Sequence, residues 1–307
     1  MKKFSTTLTL AVALVFMCFS LAGASKAIRF GVPPWPGVTV KTEVVCQILE
    51  TLGYESVQVE VGPPVVFKGM EGNDIDAFLG SWTPQQNPLL KPLKEAGKVE
   101  VVRTNLDDAT ISLCVPEYAY QAGVRSFSDL DEHGDKFERH IFNIEVGSPM
   151  HTAMGEIIEN DVAGLGDWEQ TGTTTPIMLR EVINKIDNNK WVAFACWKPH
   201  WMNVKLDMKY LKPVPGTEKF ASDSLIHTVV RSGFGDDFPE VYKFFKNLQV
   251  SSYTQSRWID SFAQKGVKVQ AVAEKWIRNN PEVVSAWLKG VQAKDGTAAI
   301  EKIRSRY

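Results

Sequence analysis

The chain has 307 residues, 44% of them hydrophobic, with 34 Lys and Arg against 36 Asp and Glu. That length suggests two domains, and a formal charge of −2 leaves no basic surface for nucleic acid. The four cysteines lack the close spacing of a zinc site or disulfide framework, so Cys46, Cys114 and Cys196 read as buried free thiols.

Residues 1–27 read as an export signal. Lys2 and Lys3 form a basic start, Leu8 to Leu21 is a nearly uncharged apolar run, and Ala22-Gly-Ala24 supplies small residues for cleavage. A second cut is possible after Ala27. The run is short for a transmembrane helix, and Cys18 follows Phe16 and Met17 instead of the small residues of a lipoprotein site. Loss of the two lysines takes the formal charge from −2 to −4.

Alternation and helical periodicity then give β-α-β-α-β within 55 residues: strand Ala27 to Val32, helix Thr42 to Leu52, strand Val57 to Val61, helix Pro64 to Glu71, strand Ile75 to Leu79. That order predicts a parallel sheet with crossovers. A second set follows, with strands Ile111 to Val115, His140 to Val146 and Trp191 to Cys196, and helices near Met150 to Asn160 and Pro176 to Ile186. Leu225 to Arg231 is another strand, and the remainder is mainly helical. Two lobes fit this pattern: 28–108 as the first, 109–211 as the second, and 212–307 returning to the first.

Three tryptophans stand beside prolines where apolar runs end: Trp35 in Val32-Pro-Pro-Trp-Pro-Gly37, Trp82 in Ser81-Trp-Thr-Pro84, and Trp197 in Cys196-Trp-Lys-Pro199. Proline has no ladder donor, so each run stops there and places an indole at a strand end. Strand ends of α/β sheets face the ligand crevice. Indoles converging there would suit a quaternary ammonium group, which offers only polarised C–H edges, at roughly 2 kcal/mol per desolvated contact.

The anionic half of a zwitterion needs donors. Val146-Gly-Ser-Pro-Met-His151 opens a helix, so the Ser148 hydroxyl and the backbone N–H groups of Met150 and His151 are candidates for a carboxylate. Ser148 reads equally well as an ordinary N-cap. His200 reads equally as a support beside Trp197 and as a surface histidine, and Trp201 as a residue packed on the lobe surface. Asp74 and Asp76 read as a turn before a strand. No Gly-x-Ser-x-Gly elbow, His-Glu-x-x-His, P-loop or dinucleotide fingerprint is present, and the five histidines lack metal spacing. No catalytic residue, metal or cofactor is therefore expected.

Asp74-Ile-Asp-Ala-Phe-Leu-Gly-Ser-Trp-Thr-Pro84, Cys196-Trp-Lys-Pro-His-Trp-Met202 and Asn280-Pro-Glu-Val-Val-Ser-Ala-Trp-Leu288 resemble the glycine betaine/choline-binding proteins of ABC importers, over about Ile28 to Gly290. The resemblance implies an α/β, two-lobed periplasmic binding protein of type II, with its ligand cleft between the lobes. It implies a monomeric periplasmic receptor, not an enzyme, that delivers its ligand to an inner-membrane permease. Trp82 and Trp197 match the family's box positions, and Trp35 matches approximately. Thr110 falls where choline binders carry a wall tyrosine, with Tyr118 or Tyr120 as substitutes, and Gly37 falls where they carry an acid. Gly37 in place of the acid, with the helix start at Gly147-Ser148, favours glycine betaine over choline, while the altered wall at Thr110 and Ser148 leaves room for a related ligand. A related amine or amino acid (carnitine, proline betaine, histidine) is the alternative ligand. An exported hydrolase using a cleft acid such as Glu145 is the alternative from another class.

Overall fold

A computed structural model describes residues 27–307. The expected export signal lies outside the described residues apart from Ala27. The first strand, β1 (Ile28–Val32), is almost wholly buried, as a strand covered on both faces must be. It pairs in parallel with β2 (Ser56–Glu60) and with β3 (Ala77–Thr83), through helices Pro36–Thr51 and Pro63–Glu71. The first helix begins six residues earlier than its apolar periodicity suggests. Pro36 sits at its N-terminus, where a missing N–H costs nothing, and Trp35 just before it is extended.

Asp76, at the entrance to β3, is fully buried and structural. It accepts from Arg29 Nε at 2.8 Å and Arg231 Nε at 2.7 Å, fastening β1 to the returning strand. Burial opposes its charge, but the two guanidinium partners hold its carboxyl below the usual range.

The next strand, β4 (Val99–Pro116), runs 18 residues and carries the chain from one core to another. Beyond it come β5 (His140–Asn143), β6 (Glu169–Gly172), β7 (Ala193–Lys198), β8 (Met208–Tyr210) and β9 (Ser222–Arg231). The sheet order is β2-β1-β3-β9-β4-β7-β5-β6, with β8 paired to β4. β9 lies antiparallel to both β3 and β4, and β4 is antiparallel to β7. The β4–β9 ladder shifts register between Val101 and Arg103, Thr104 and Leu106, and Leu106 and Ala109. Such irregularities bend a strand pair.

The buried apolar residues divide accordingly. One core joins Ile28–Val99 residues such as Phe30 and Phe67 to the C-terminal Phe244, Phe245 and Trp258. The other runs from Ile111 to Ala221, joined by Ile259, and includes Phe127, Phe194 and Phe220. Leu106, Ala109 and Ile226 form a small cluster at the waist, against Trp82.

Cys114 and Cys196 are joined in a disulfide, which corrects the free-thiol expectation, while Cys46 is free and buried. The β4–β7 register pairs Cys114 with Phe194 and Ser112 with Cys196, setting the two cysteines diagonally opposed. Separated by 82 positions, they are brought together by sheet register, to which sequence spacing is blind.

Candidate functional site

Both Trp-x-Pro segments end a strand in the same way. Trp82 is the penultimate residue of β3 and Trp197 that of β7, and each following proline has a cis peptide bond. Across the ladders, Trp82 faces Ile226 on β9, and Trp197 faces Ile111 on β4. Directly opposed residues share one face of a sheet, so the two isoleucines lie on the face that carries the indoles. β3 and β7 stand three strand spacings apart, about 14 Å along a flat sheet. The cavity between them is lined by Trp82, Trp197, Ile111 and Ile226.

Trp35 completes the enclosure from the N-terminus of helix Pro36–Thr51. Its Nε1 donates to Glu145 Oε1 at 2.7 Å, reaching to the segment just after β5. All three indoles are half-buried, with apolar faces bounding the cavity. The structure thus brings Trp35, Trp82 and Trp197 into one site.

The remaining candidates separate. Met150 lines the cavity. Ser148 is buried as the N-cap of helix Pro149–Glu159, its Oγ accepting the His151 N–H at 3.1 Å, so the capping reading holds and that N–H is taken. The His151 ring packs near Gly172 and Val146 outside the lining, and burial lowers its pKa. Thr110 is also outside: its hydroxyl donates to Asp223 at 3.2 Å, and Ile111 faces the cavity instead. Neighbouring strand residues point to opposite faces, which is why 111 and not 110 forms the wall. Tyr118 donates to the Lys190 carbonyl, and neither it nor Tyr120 reaches the lining.

Five polar lining residues, Lys41, Gln85, Gln86, His200 and Gln255, escape the sequence reading or are underrated by it. His200 is fully buried, packed edge-on to Trp197 with ring centroids 5.1 Å apart. Trp201, expected on the surface, is buried beside it in the second core. Burial drives the His200 pKa down to about 3, so the ring is neutral. Its Nδ1 accepts from Met202 N–H at 3.4 Å, which leaves the proton on Nε2. That Nε2 is buried with no partner among the described residues. Gln86 and Gln255 each bury a carbonyl oxygen that likewise has none.

Lys41 is the charged member of the set. Its Nζ donates to Asn105 Oδ1 at 2.6 Å and less closely to the Leu79 carbonyl, and burial lowers its pKa to about 7. No carboxylate appears among the lining residues; Glu145 stands outside them, held by the Trp35 edge. One signal for His200 was present in the sequence. It follows Pro199 as Gln85 follows Pro84, so the repeated Trp-x-Pro motif extends by one polar residue.

Residues 26–279 match the model of the substrate binding domain of ABC-type glycine betaine transport systems. The chain belongs to this family. Its members are extracytoplasmic substrate-binding receptors, and this chain is a substrate-binding protein of the glycine betaine/choline type of ABC transporter. A solved ABC-transporter choline-binding protein in complex with choline is 28% identical, with a TM-score of 0.87 over 91% of this chain and 97% of its own. A protein of uncharacterised function from Chromohalobacter salexigens is 40% identical over 129 residues, 42% of this chain and 83% of its own length. A glycine betaine/carnitine transport binding protein of Listeria monocytogenes is 27% identical over 163 residues, 53% of either chain. The fold is accordingly that of the two-lobed type II periplasmic binding proteins. Among the described residues, no helix is long and apolar enough to cross a membrane.

Proposed function

We propose that this receptor captures a compact zwitterionic quaternary ammonium compound, glycine betaine before choline, and hands it to a membrane permease. The observation that carries this reading is the lining itself: three indoles with a buried lysine, a neutral histidine N–H, and no carboxylate. The indole faces meet the methylated cation without leaving donors unpaired. The Nε2–H of His200 donates to the carboxylate, relieving its own unsatisfied burial. Lys41 lines the cavity too, and in its protonated form, about half the molecules near pH 7, it adds positive charge there. At an effective dielectric near 20, a unit charge within about 8 Å is worth roughly 2 kcal/mol, repelling a simple cation and attracting an anion.

Capture follows lobe closure. The two cores form two bodies joined where β4 leaves the first near Leu106–Ala109 and β9 returns through Ser222–Ile226. Ligand bridging Trp35 to Trp197 favours the closed arrangement, whose outer surface the permease then reads. Residues 1–27 direct export to the periplasm, and the mature receptor acts as a monomer.

Tryptophan fluorescence tests this simply. Glycine betaine should shift the emission saturably, while glycine, with the same carboxylate and no methylated cation, should not. Equal responses to both would contradict the indole box.

A further inference from the structure

Gly37 and Gln255 occupy one space. Gly37 lies in the first turn of helix Pro36–Thr51, and Gln255 projects from helix Ser252–Ile259 across it. A Cβ built on Gly37 would stand 2.6 Å from Gln255 Nε2 and 3.3 Å from its Cδ. No real Cβ approaches so closely, so the carboxamide lies flush on the glycine, in the volume that a side chain at position 37 would fill. Both residues line the cavity. Gln255 is 4% exposed, and its Oε1 has no hydrogen-bond partner among the described residues.

A buried amide oxygen left unpaired is destabilising unless something satisfies it. Gln85, by contrast, spends its amide on Ser222 and Ser224, 2.9 and 3.1 Å away, and is locked in the wall. Gln255, like Gln86, is therefore free to answer a ligand, and of the two Gln255 is the one that fills the space beside Gly37. We infer that Gln255, admitted by the absence of a side chain at Gly37, is the specificity-determining residue of this pocket, meeting the ligand's polar end with an uncharged carboxamide. A neutral amide tolerates a carboxylate, by turning its Nε2–H toward it, and also accepts from a hydroxyl. A carboxylate in the same place would repel a zwitterion's anion and reward a hydroxyl donor on a simple cation.

The inference rests on the quaternary ammonium reading but fails separately from it. Calorimetric affinities for glycine betaine and choline should be measured for wild type, Gln255→Glu, Gln255→Leu, Gly37→Ala, and Gly37→Ala combined with Gln255→Ala. Gln255→Glu should move the betaine-to-choline ratio at least tenfold toward choline. Gln255→Leu, of similar volume, should flatten that ratio. Gly37→Ala should disturb it by displacing the carboxamide, yet add little once Gln255 is already Ala. Ratios within twofold of wild type in both Gln255→Glu and Gln255→Leu would overturn the inference while leaving the box intact. If Gln255→Glu fails to fold, the Leu and Gly37 variants still decide. Absence of binding to either compound by the wild type would instead strike at the receptor reading itself.

Discussion

The indole nitrogen of Trp35 donates to Glu145 across 2.7 Å, linking a ring packed on the first core to a residue that follows Ile144 of the second. The bond holds one wall of the aromatic box to the opposite body. It exists only when the two bodies are together, so ligand packing on Trp35 and lobe closure support one another.

Glu145→Ala should therefore weaken ligand binding about tenfold, chiefly through faster release, since a hydrogen bond to a charged group contributes about 1.5 kcal/mol or more. Trp35→Phe keeps a ring but loses the donor and should show a similar loss. Stopped-flow dissociation of the double variant should match the single ones. Additive losses would mean that the two residues act independently.

Trp82→Ala and Trp197→Ala should each weaken binding at least tenfold while melting near the wild-type temperature. Both rings are half-buried at strand ends and face the cavity, and one desolvated cation–π wall is worth about 2 kcal/mol. Circular dichroism alongside calorimetry separates a lost wall from a lost fold. Wild-type affinity in both variants would remove the box.

Closure should be visible as compaction. Saturating ligand should reduce the radius of gyration in small-angle scattering, because the cores are separate and joined mainly through β4 and β9. An unchanged radius at proven saturation would mean that the bodies do not hinge.

Much of this was legible in the sequence, and for identifiable reasons. The opening β-α-β-α-β unit carries its own periodicity and turn residues, and its strands pair in parallel as that order requires. Trp82 and Trp197 betray themselves because proline ends a strand at a fixed distance from each. What escaped was set by partners distant in the chain. The Cys114–Cys196 bond depends on β4–β7 register, and Thr110 lost its place to Ile111 through a one-residue phase. Gln255 comes from a helix more than 200 positions after Gly37, and no local pattern marks it. Lys41 lies on the buried face of an apolar helix, where its charge looks like an interruption and not a feature.

Lys41 gives a signed pH test. Burial lowers its folded pKa to about 7 from an ordinary 10.5, so between those values the unfolded chain binds a proton that the folded chain does not. Stability then rises with pH across that window, and the full penalty applies below about pH 7. The melting temperature of wild type relative to Lys41→Met should climb between about pH 7 and 10 and level off below about pH 6; taking the difference cancels the other titrations. A level difference throughout would mean that Lys41 is not desolvated.

We propose that an indole box lined also by Lys41 and His200 selects a zwitterion. Side-by-side calorimetric titration of the wild-type protein with glycine betaine and choline at pH 7 tests it most directly. Glycine betaine is predicted to bind at least tenfold more tightly. Choline binding tenfold more tightly than glycine betaine, or no heat with either, would contradict the account.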